Sequence, residues 1–270
     1  MPEVELQART IEYQDTGGNG PVVVLHGLAM DGSLWHHVVR ELGDDHRCVV
    51  PTLPLGGHRL PMRPDADLSP RGIAGLEAEF LDALDLRQVT LVGNDSGLFL
   101  LAAAQYPQRI AGLVVSSCEA FDNFPPGLPG GLNAMVQPLR VRALRRLPTV
   151  WGWMAKRPIP PAITDAWLHP LLTQPAVRRD LAKYLRDSAK DPGVLVAAAE
   201  GLRGFERPAL VVWVAEDRVM PPAHGRRLAE LLPHGQLLEV PDSYTLIPED
   251  QPAALAHAVS QFVRHTESHR

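Results

Sequence analysis

Asp95 is the residue whose surroundings point most clearly to chemistry. It follows an apolar, β-rich run, Val89 to Val92, and a helix-like segment, Leu98 to Tyr106, begins three residues after it. Glycine stands two positions before it and two positions after it, at Gly93 and Gly97. This layout is typical of a nucleophile elbow, a tight strand-turn-helix that lifts one side chain above the edge of a sheet. Small residues are needed at both flanks because the backbone turns too sharply for a side chain there.

The residue that this turn raises is a carboxylate rather than the more usual serine. Centring the turn on Ser96 would place Asn94 and Leu98 at the flanks, and Leu98 is too bulky, so we favour Asp95. A carboxylate is already ionised near pH 7 and can attack an sp³ carbon without a base, whereas a serine hydroxyl needs one. Asp95 is therefore the predicted reactive residue.

The composition limits the classes of protein to which the chain can belong. Its 270 residues, 45% hydrophobic and 21% charged, suit one large α/β domain or a domain with an insertion. The net charge of −5 argues against a nucleic-acid partner. Cys48 and Cys118 each stand at one end of an apolar, strand-like run and are expected to be buried free thiols, and no metal-ligand spacing occurs. No signal-peptide pattern or apolar run of about 20 residues is present, so we expect a soluble, cytoplasmic protein without membrane contact. We also expect a monomer or homodimer that uses no metal or cofactor.

Strand-like and helix-like patterns alternate along most of the chain. Val22 to Leu25 is a continuous apolar run, which indicates a strand buried on both faces. Ser69 and Pro70 are favourable first residues for a helix. This alternation predicts an α/β protein with a mostly parallel sheet covered by helices on both faces. The other predicted strands are Val4 to Tyr13 (a strand or hairpin), Cys48 to Val50, Val89 to Val92, Leu113 to Ser116, Ala209 to Val214 and Gln236 to Val240. The other predicted helices are Ser33 to Leu42, Ile73 to Leu84, Gly225 to Leu232 and Pro252 to Val263.

The alternation stops between Phe121 and Phe205. Prolines and glycines are frequent at 125–131 and 158–161, and the apolar spacing between and after these segments is helical, at 134–147, 166–172 and 177–185. We therefore predict a helical cap, residues 121–205, over the carboxyl edge of a sheet formed by residues 1–120 and 206–270. The arginines within 140–146 are expected to form the solvent-facing side of a cap helix.

Four separated segments, in this order, resemble the α/β-hydrolase superfamily. His26-Gly27 follows the first buried strand and resembles the oxyanion loop, with Trp35 placed as in many members. Residues 93–97 are similar to the elbow. Val211 to Asp217 resembles the strand that ends in the acid of a catalytic triad, and Glu239 to Ser243 opens the segment that normally carries the histidine. Together these segments cover nearly all of the chain outside the cap and imply an α/β-hydrolase fold, although a fold does not determine a function.

An aspartate in the elbow is similar to the haloalkane dehalogenase and epoxide hydrolase branches of this superfamily. The resemblance implies that the substrate alkylates Asp95 and that a water activated by a histidine then hydrolyses the ester. It also implies that the backbone N–H groups of Leu28 and Ser96 face the developing charge, and that Asp217 stands at the position of the triad acid.

Three departures from those branches bear on the chemistry. Aligning Pro241 and Pro252 with their usual family places puts Thr245 where the histidine should be, at an ordinary interval from Asp217. Leu28-Ala29 supplies neither the proline of epoxide hydrolases nor the halide-binding residue of dehalogenases, and Ser96 stands where dehalogenases often have a tryptophan. The departures argue against both standard activities.

Thr245 is predicted to hold a hydrogen bond, because a threonine hydroxyl is not a base near pH 7. If Asp95 and Asp217 approach one pocket, repulsion and burial would raise the pKa of one of them, and such a pair supplies one acid and one base. His224, just after Pro221, is the best substitute for the missing histidine, with a solvent-exposed helix start as the alternative. The remaining candidates for the pocket wall, each with packing or a surface position as its alternative, are His26, Asp31, His58, Trp167 and Tyr184.

The leading functional prediction is a cofactor-independent hydrolase that uses Asp95 on a small hydrophobic organic molecule, an epoxide, a halide, or an ester or lactone. One alternative is a non-hydrolytic enzyme, a cyclase, lyase or isomerase of a secondary metabolite, that uses Asp95 as acid or base. Another is a catalytically silent protein that binds a small molecule. All three place the ligand in a largely apolar pocket beneath the cap.

Overall fold

A computed structural model describes residues 1–18, 20, 22–124 and 151–268 of the chain. Its described strands form one eight-stranded sheet in the order β1-β2-β4-β3-β5-β6-β7-β8, antiparallel from β1 to β4 and parallel from β4 onward. The strands are β1 (Glu3–Glu5), β2 (Thr10–Asp15), β3 (Val22–Leu25), β4 (Cys48–Pro51), β5 (Val89–Asp95), β6 (Ile110–Cys118), β7 (Ala209–Val214) and β8 (Gly235–Val240).

The central strands are buried along their whole length, as their continuous apolar runs predict. Every residue of β3, β5, β6 and β7 is buried, because helices cover both faces of a parallel sheet. The predicted N-terminal hairpin is confirmed as β1 paired with β2. Strand β5 extends three residues beyond the predicted Val92, so Asp95 itself ends the strand.

Helices cover the sheet and also form the described part of the region between β6 and β7. They are α1 (His36–Leu42), α2 (Pro70–Ala83), α3 (Leu98–Gln105), α4 (Trp151–Met154), α5 (Pro161–Thr173), α6 (Pro175–Ser188), α7 (Val194–Gly201), α8 (Pro222–Leu231), α9 (Ile247–Asp250) and α10 (Pro252–Ser268). The predicted start of α2 is confirmed, since the Ser69 hydroxyl accepts the Gly72 N–H at 3.1 Å and Pro70 is the first helical residue. The predicted helix at 33–42 is a 3₁₀ turn, Gly32–Trp35, followed by α1.

The described part of the cap region, α4 to α7, is attached to the core by buried polar contacts. The Trp167 Nε1–H on α5 donates to Ser33 Oγ at 2.8 Å, and Asp180 on α6 accepts the Met62 N–H at 2.7 Å. The helices predicted at 166–172 and 177–185 are confirmed within α5 and α6. The predicted helix at 134–147 and its arginines lie outside the described residues.

The two cysteines, Cys48 and Cys118, are free and buried, as predicted. In the part of the chain that the structure describes, no helix combines the length and the apolar character needed to cross a membrane.

Glu77 on α2 is a buried carboxyl whose replacement should stabilise the protein. It is 4% exposed, its two oxygens lack a hydrogen-bond partner among the described residues, and it adjoins a small apolar cavity lined by Leu91 and Ala102. Burial raises its pKa well above the usual 4.5, so its stability penalty appears as pH rises above that value. We expect Glu77→Met to raise the free energy of unfolding by about 1–3 kcal/mol at pH 8, and by less at pH 5, in urea denaturation.

The matched control for Glu77→Met is Glu230→Met on the exposed surface of α8. It removes a carboxylate that water already solvates, so it should change stability by no more than about 0.5 kcal/mol at either pH. A gain from Glu77→Met that is the same at pH 5 and pH 8 would contradict the explanation from buried charge.

Candidate active site

The turn after β5 has the geometry of the predicted elbow. Asp95 ends the strand with a φ of 69°, in the left-handed region where a non-glycine residue is strained. The Ser96 N–H donates to Asn94 O at 2.9 Å, which closes the turn around Asp95. A Cβ at Gly93 would overlap the Phe99 ring, and one at Gly97 would overlap Glu119 O. Both flanks therefore need glycine because neighbouring atoms leave no room for a side chain, as well as because the turn is sharp.

The Asp95 carboxyl is buried and held by one predicted backbone donor. The Leu28 N–H donates to Asp95 Oδ2 at 3.0 Å. Burial raises the pKa of Asp95 to about 7, with the Leu28 hydrogen bond opposing the rise and the charge of Asp217 adding to it. The second predicted donor, the Ser96 N–H, is used by the turn itself and does not reach this carboxyl. Asp95 thus changes its charge near neutral pH.

His26-Gly27 supports Asp95 by geometry. A Cβ at Gly27 would overlap the Asp95 carboxyl, so only glycine leaves room for the acid there. His26 Nε2 accepts the Leu53 N–H at 2.8 Å, which makes Nδ1 the protonated nitrogen, donating to Gly27 O at 2.9 Å. Burial lowers the pKa of His26 and keeps the ring neutral. His26 therefore joins the ends of β3 and β4 rather than facing Asp95.

Asp217 and Thr245 are in direct contact through a hydrogen bond. The Thr245 hydroxyl, fully buried, donates to Asp217 Oδ1 at 2.8 Å, and the same oxygen accepts the Val219 and Met220 N–H groups at 2.9 Å each. Burial raises the pKa of Asp217 despite these donors. Among the described residues, no histidine shifts the pKa of Asp95 or of Asp217.

Asn94 is a positioning residue that the sequence reading considered only as a flank of the turn. Its Nδ2 donates to Thr245 O at 2.8 Å, to Ser116 O at 3.0 Å and to Ser117 O at 3.2 Å. One buried amide thus joins the elbow, the end of β6 and the loop that carries Thr245. Its signal in the sequence was weak, because an amide inside a turn is ordinary.

Glu119 is a second buried carboxyl near Asp95 that sequence reasoning missed. It directly follows β6, and its N–H donates to Asp95 O at 2.8 Å. Burial raises the pKa of Glu119 well above its usual value, the charge of Asp95 raises it further, and the Gly97 N–H opposes both. An acidic residue at the carboxyl end of a predicted parallel strand was the available signal, since ligands bind at that edge.

Tyr184 is the predicted cap residue that the structure brings to the elbow. It lies on α6, almost fully buried, and burial raises the pKa of its hydroxyl well above the usual value. The charges of Glu119 and Asp95 add to the rise, and the Ser188 and Ser96 hydroxyls are near enough to oppose it. The cap side of the site therefore presents a neutral O–H group toward the carboxyls.

Four other predicted pocket residues have partners away from Asp95. Asp31 caps the 3₁₀ turn by accepting the Ser33 N–H at 2.9 Å. His58 Nε2 lies 3.3 Å from Asp180 Oδ2, and Trp167 binds Ser33. His224 Nε2 lies 3.2 Å from Asp122 Oδ1. Asp31, His58 and Trp167 thus belong to the attachment of the cap, and His224 is paired with Asp122 rather than with Asp95 or Asp217.

Across residues 1–18, 20, 22–124 and 151–268, no group of three or more His, Cys, Asp or Glu side chains is arranged to hold a metal ion. The chemistry available from the described residues is that of Asp95, Glu119 and Asp217, with the Thr245 and Tyr184 hydroxyls beside them.

Comparison with known proteins assigns the chain to a family. The model of the alpha/beta hydrolase family matches residues 22–258. The chain therefore belongs to the alpha/beta hydrolase family and is a hydrolase-type enzyme.

The proteins to which this chain is similar have names that describe different reactions. The chain is 27% identical to a cis-3-alkyl-4-alkyloxetan-2-one decarboxylase of Shewanella oneidensis, over 96% of this chain and 86% of that protein. It is 33% identical to a haloalkane dehalogenase of Mesorhizobium japonicum over 41% of this chain and 36% of that protein. A solved haloalkane dehalogenase from Bradyrhizobium elkani superposes with a TM-score of 0.78 at 20% identity, covering 98% of this chain and 97% of that one. That structural likeness concerns the fold alone.

Proposed function

We propose that the substrate alkylates Asp95 and that the reaction is completed without an activated water. The observation that carries this proposal is the contact between the Thr245 hydroxyl and Asp217 Oδ1 at 2.8 Å. Hydrolysis of an alkyl-Asp95 ester needs a general base, and a threonine hydroxyl is not one near pH 7. A reaction whose second step expels Asp95 from the substrate needs no such base.

A four-membered lactone, an oxetan-2-one, is the substrate class that suits this chemistry. Asp95 Oδ1 attacks the sp³ ring carbon that bears oxygen, and the C–O electron pair leaves on the new substrate carboxylate. The bond from that carboxylate to the chain then breaks, its electrons form a C=C bond, and the C–O bond to Asp95 breaks to restore the aspartate. The products are an alkene and CO₂, and neither water nor an oxidant is consumed. The decarboxylase relative from Shewanella oneidensis is named for such a loss of CO₂.

The state of Asp95 supports a role as nucleophile near neutral pH. Its pKa of about 7 leaves a large fraction ionised at pH 7 to 8, and burial removes the water that would otherwise solvate the attacking oxygen. The Leu28 N–H holds Oδ2 and so orients the carboxylate for attack by the other oxygen. Lactone consumption is therefore expected to rise with pH through about 7.

An isotope experiment separates this reaction from hydrolysis. A cis-3,4-dialkyl oxetan-2-one is incubated with the protein in H₂¹⁸O, and products and the Asp95 peptide are analysed by mass spectrometry. We expect one alkene per lactone, with no ¹⁸O in Asp95 and no hydroxy acid. Hydroxy acid with ¹⁸O in Asp95 after repeated turnover would favour the hydrolase alternative, and unchanged lactone bound to the protein would favour the silent binding protein.

The same experiment in D₂O tests the second candidate, in which Asp95 acts as acid or base. This candidate is favoured by the pKa of about 7, which suits proton transfer near neutral pH. Proton abstraction from the substrate would exchange deuterium into recovered lactone or product. Decarboxylative elimination leaves the original C–H bonds untouched, so deuterium in the alkene would contradict our leading proposal.

A further inference from the structure

Glu119 follows β6, which lies in the sheet between β5, the strand that ends at Asp95, and β7, the strand that precedes Asp217. Strand β6 pairs with β5 with Cys118 opposite Asp95, and the next residue, Glu119, bonds back to Asp95 O through its N–H at 2.8 Å. The backbone of Gly97 abuts the backbone of Glu119, and its N–H faces the Glu119 carboxyl. Strand pairing and the elbow therefore hold this acid beside the reactive one, and the alkylation step described above does not use it.

Glu119 holds its proton when Asp95 carries its charge. The side chain is 9% exposed, so burial disfavours a charge on it, and the ionised Asp95 disfavours a second one nearby. Two carboxyls placed in this way share one proton over a range of pH. When Asp95 is a nucleophile, Glu119 is thus a neutral carboxylic acid, which donates a hydrogen bond instead of accepting one.

Two hydroxyl groups complete a cluster of donors around this acid. The Tyr184 hydroxyl, on α6, is near the Ser96 hydroxyl, and burial and the charges of Glu119 and Asp95 raise its pKa and keep it neutral. Ser96 Oγ accepts the Leu98 N–H at 3.4 Å, so its own O–H remains available to donate. All three side chains are buried. Among the described residues, no Lys or Arg side chain contributes to the pKa shifts of Glu119 and Tyr184, and three O–H donors suit an oxygen that gains negative charge during a reaction.

We propose that Glu119, Tyr184 and Ser96 form the leaving-group site of this enzyme and bind the carboxylate that opens from the lactone ring. This inference rests on the proposed function, because a carboxylate leaves only if Asp95 attacks the ring carbon. As the ring C–O bond breaks, its electron pair goes to the lactone oxygen, and the three O–H groups stabilise that oxygen by hydrogen bonds. No proton is transferred, so Glu119 stays a carboxylic acid while the carboxylate subsequently departs as CO₂.

The test compares two leaving groups on the same nucleophile. A cis-3,4-dialkyl oxetan-2-one releases a carboxylate oxygen, whereas a primary bromoalkane of similar length releases bromide, which gains little from O–H donors. Lactone consumption and Asp95 alkylation by the bromoalkane are measured in the unsubstituted protein, Glu119→Gln, Glu119→Leu and Tyr184→Phe. Glu77→Gln, a buried acid on α2 away from the elbow, is the matched control.

We expect Glu119→Leu to lower the lactone rate by about 100-fold and Tyr184→Phe by about 10-fold, with losses below about 5-fold for the bromoalkane. Glu119→Gln keeps a neutral donor and should stay within about 5-fold on the lactone. The unsubstituted protein should lose lactone activity at high pH as Glu119 ionises, and Glu119→Gln should lack this fall. The pH profile of Glu119→Gln decides the question even if Glu119→Leu does not fold.

Two results would overturn the assignment. A loss of lactone activity of about 100-fold or more in folded Glu119→Gln would mean that Glu119 works as an ionised carboxylate. Equal losses for both probes in Glu119→Leu would mean that Glu119 only supports the elbow. Failure of both probes to alkylate Asp95 in the unsubstituted protein would instead refute the proposed function. Alkylation of the unsubstituted protein is therefore measured before any variant is compared.

Discussion

Asp95→Asn is expected to abolish lactone turnover, by on the order of 10⁴-fold or more, and at the same time to make the protein more stable at pH 8. The first effect follows because an amide is not a nucleophile toward an sp³ carbon. The second follows because burial raises the pKa of Asp95 to about 7, against 3.8 in its usual environment. A variant that is more stable and inactive separates loss of chemistry from loss of structure.

The pH dependence of this stabilisation has a definite sign. The folded protein binds the Asp95 proton more tightly than the unfolded chain, so the contribution of Asp95 to stability falls as pH rises from about 4 to about 7. One pKa unit corresponds to about 1.4 kcal/mol, so the penalty at pH 8 is about 2–4 kcal/mol. Asparagine tolerates the positive φ of this position and can still accept the Leu28 N–H, so it should remove the penalty without new strain.

The measurement is urea unfolding of Asp95→Asn and of the unsubstituted protein at pH 4.5 and pH 8, together with lactone consumption. Asp44→Asn is the matched control, because Asp44 is exposed and its replacement should change neither quantity. A stabilisation of equal size at the two pH values would show that the Asp95 charge is not its source. Retained lactone turnover would remove Asp95 from the chemistry.

Thr245→His is expected to convert single alkylation of Asp95 by a bromoalkane into repeated turnover of that substrate. Since no histidine among the described residues acts on Asp95, a primary bromoalkane should leave a persistent alkyl ester on Asp95. An imidazole at position 245 can donate to Asp217 Oδ1, which now accepts the Thr245 hydroxyl, and can activate a water with its other nitrogen. General-base catalysis of this kind contributes about 10²- to 10⁴-fold, so hydrolysis of the ester should accelerate by that factor.

Two further variants control this experiment. Thr245→Val removes the hydroxyl without adding a base, so its ester should persist as in the unsubstituted protein. Thr245→His with Asp217→Asn keeps the imidazole but removes its charged partner, and it should lose most of the gain. Because Thr245 is fully buried, the larger ring is expected to cost about 1–3 kcal/mol of stability. A folded Thr245→His protein whose ester does not clear would show that position 245 does not face the Asp95 ester.

Most of the fold was predictable because its signals are local. The continuous apolar runs of β3 and β7 predicted their bounds, and the turn residues around Asp95 predicted a strand, a turn and a helix in the observed order. The short α9 was not predicted, since four residues carry too little periodicity to be read. Its Asp250 accepts the Lys156 and Arg157 N–H groups at 2.8 Å and so joins the described start of the cap to the core.

The site was predicted unevenly, and the difference has a physical cause. The places of Leu28 and Asp95 in the fold could be predicted because both residues lie at backbone turns, and such turns leave a residue pattern. Predictions for Asp31, His58 and Trp167 had no such support, and these side chains are used to attach the cap and its neighbouring loops. Their partners, Ser33 and Asp180, lie far from two of them in sequence, so no local pattern records the contacts.

By itself, the sequence determined the elbow, the carboxylate at its tip and the threonine near its acid partner, because each of these is a residue identity at a known turn or strand end. Only the tertiary structure decided the charge state of the site. The pairing of β5 with β6 brings Glu119 to Asp95, and α6 brings Tyr184 near enough for the charges of both acids to raise its pKa. Their shared burial raises the pKa of Asp95 to about 7 and keeps the proton of Glu119 in place. Desolvation and repulsion depend on distance in space, and strand order and the cap set those distances.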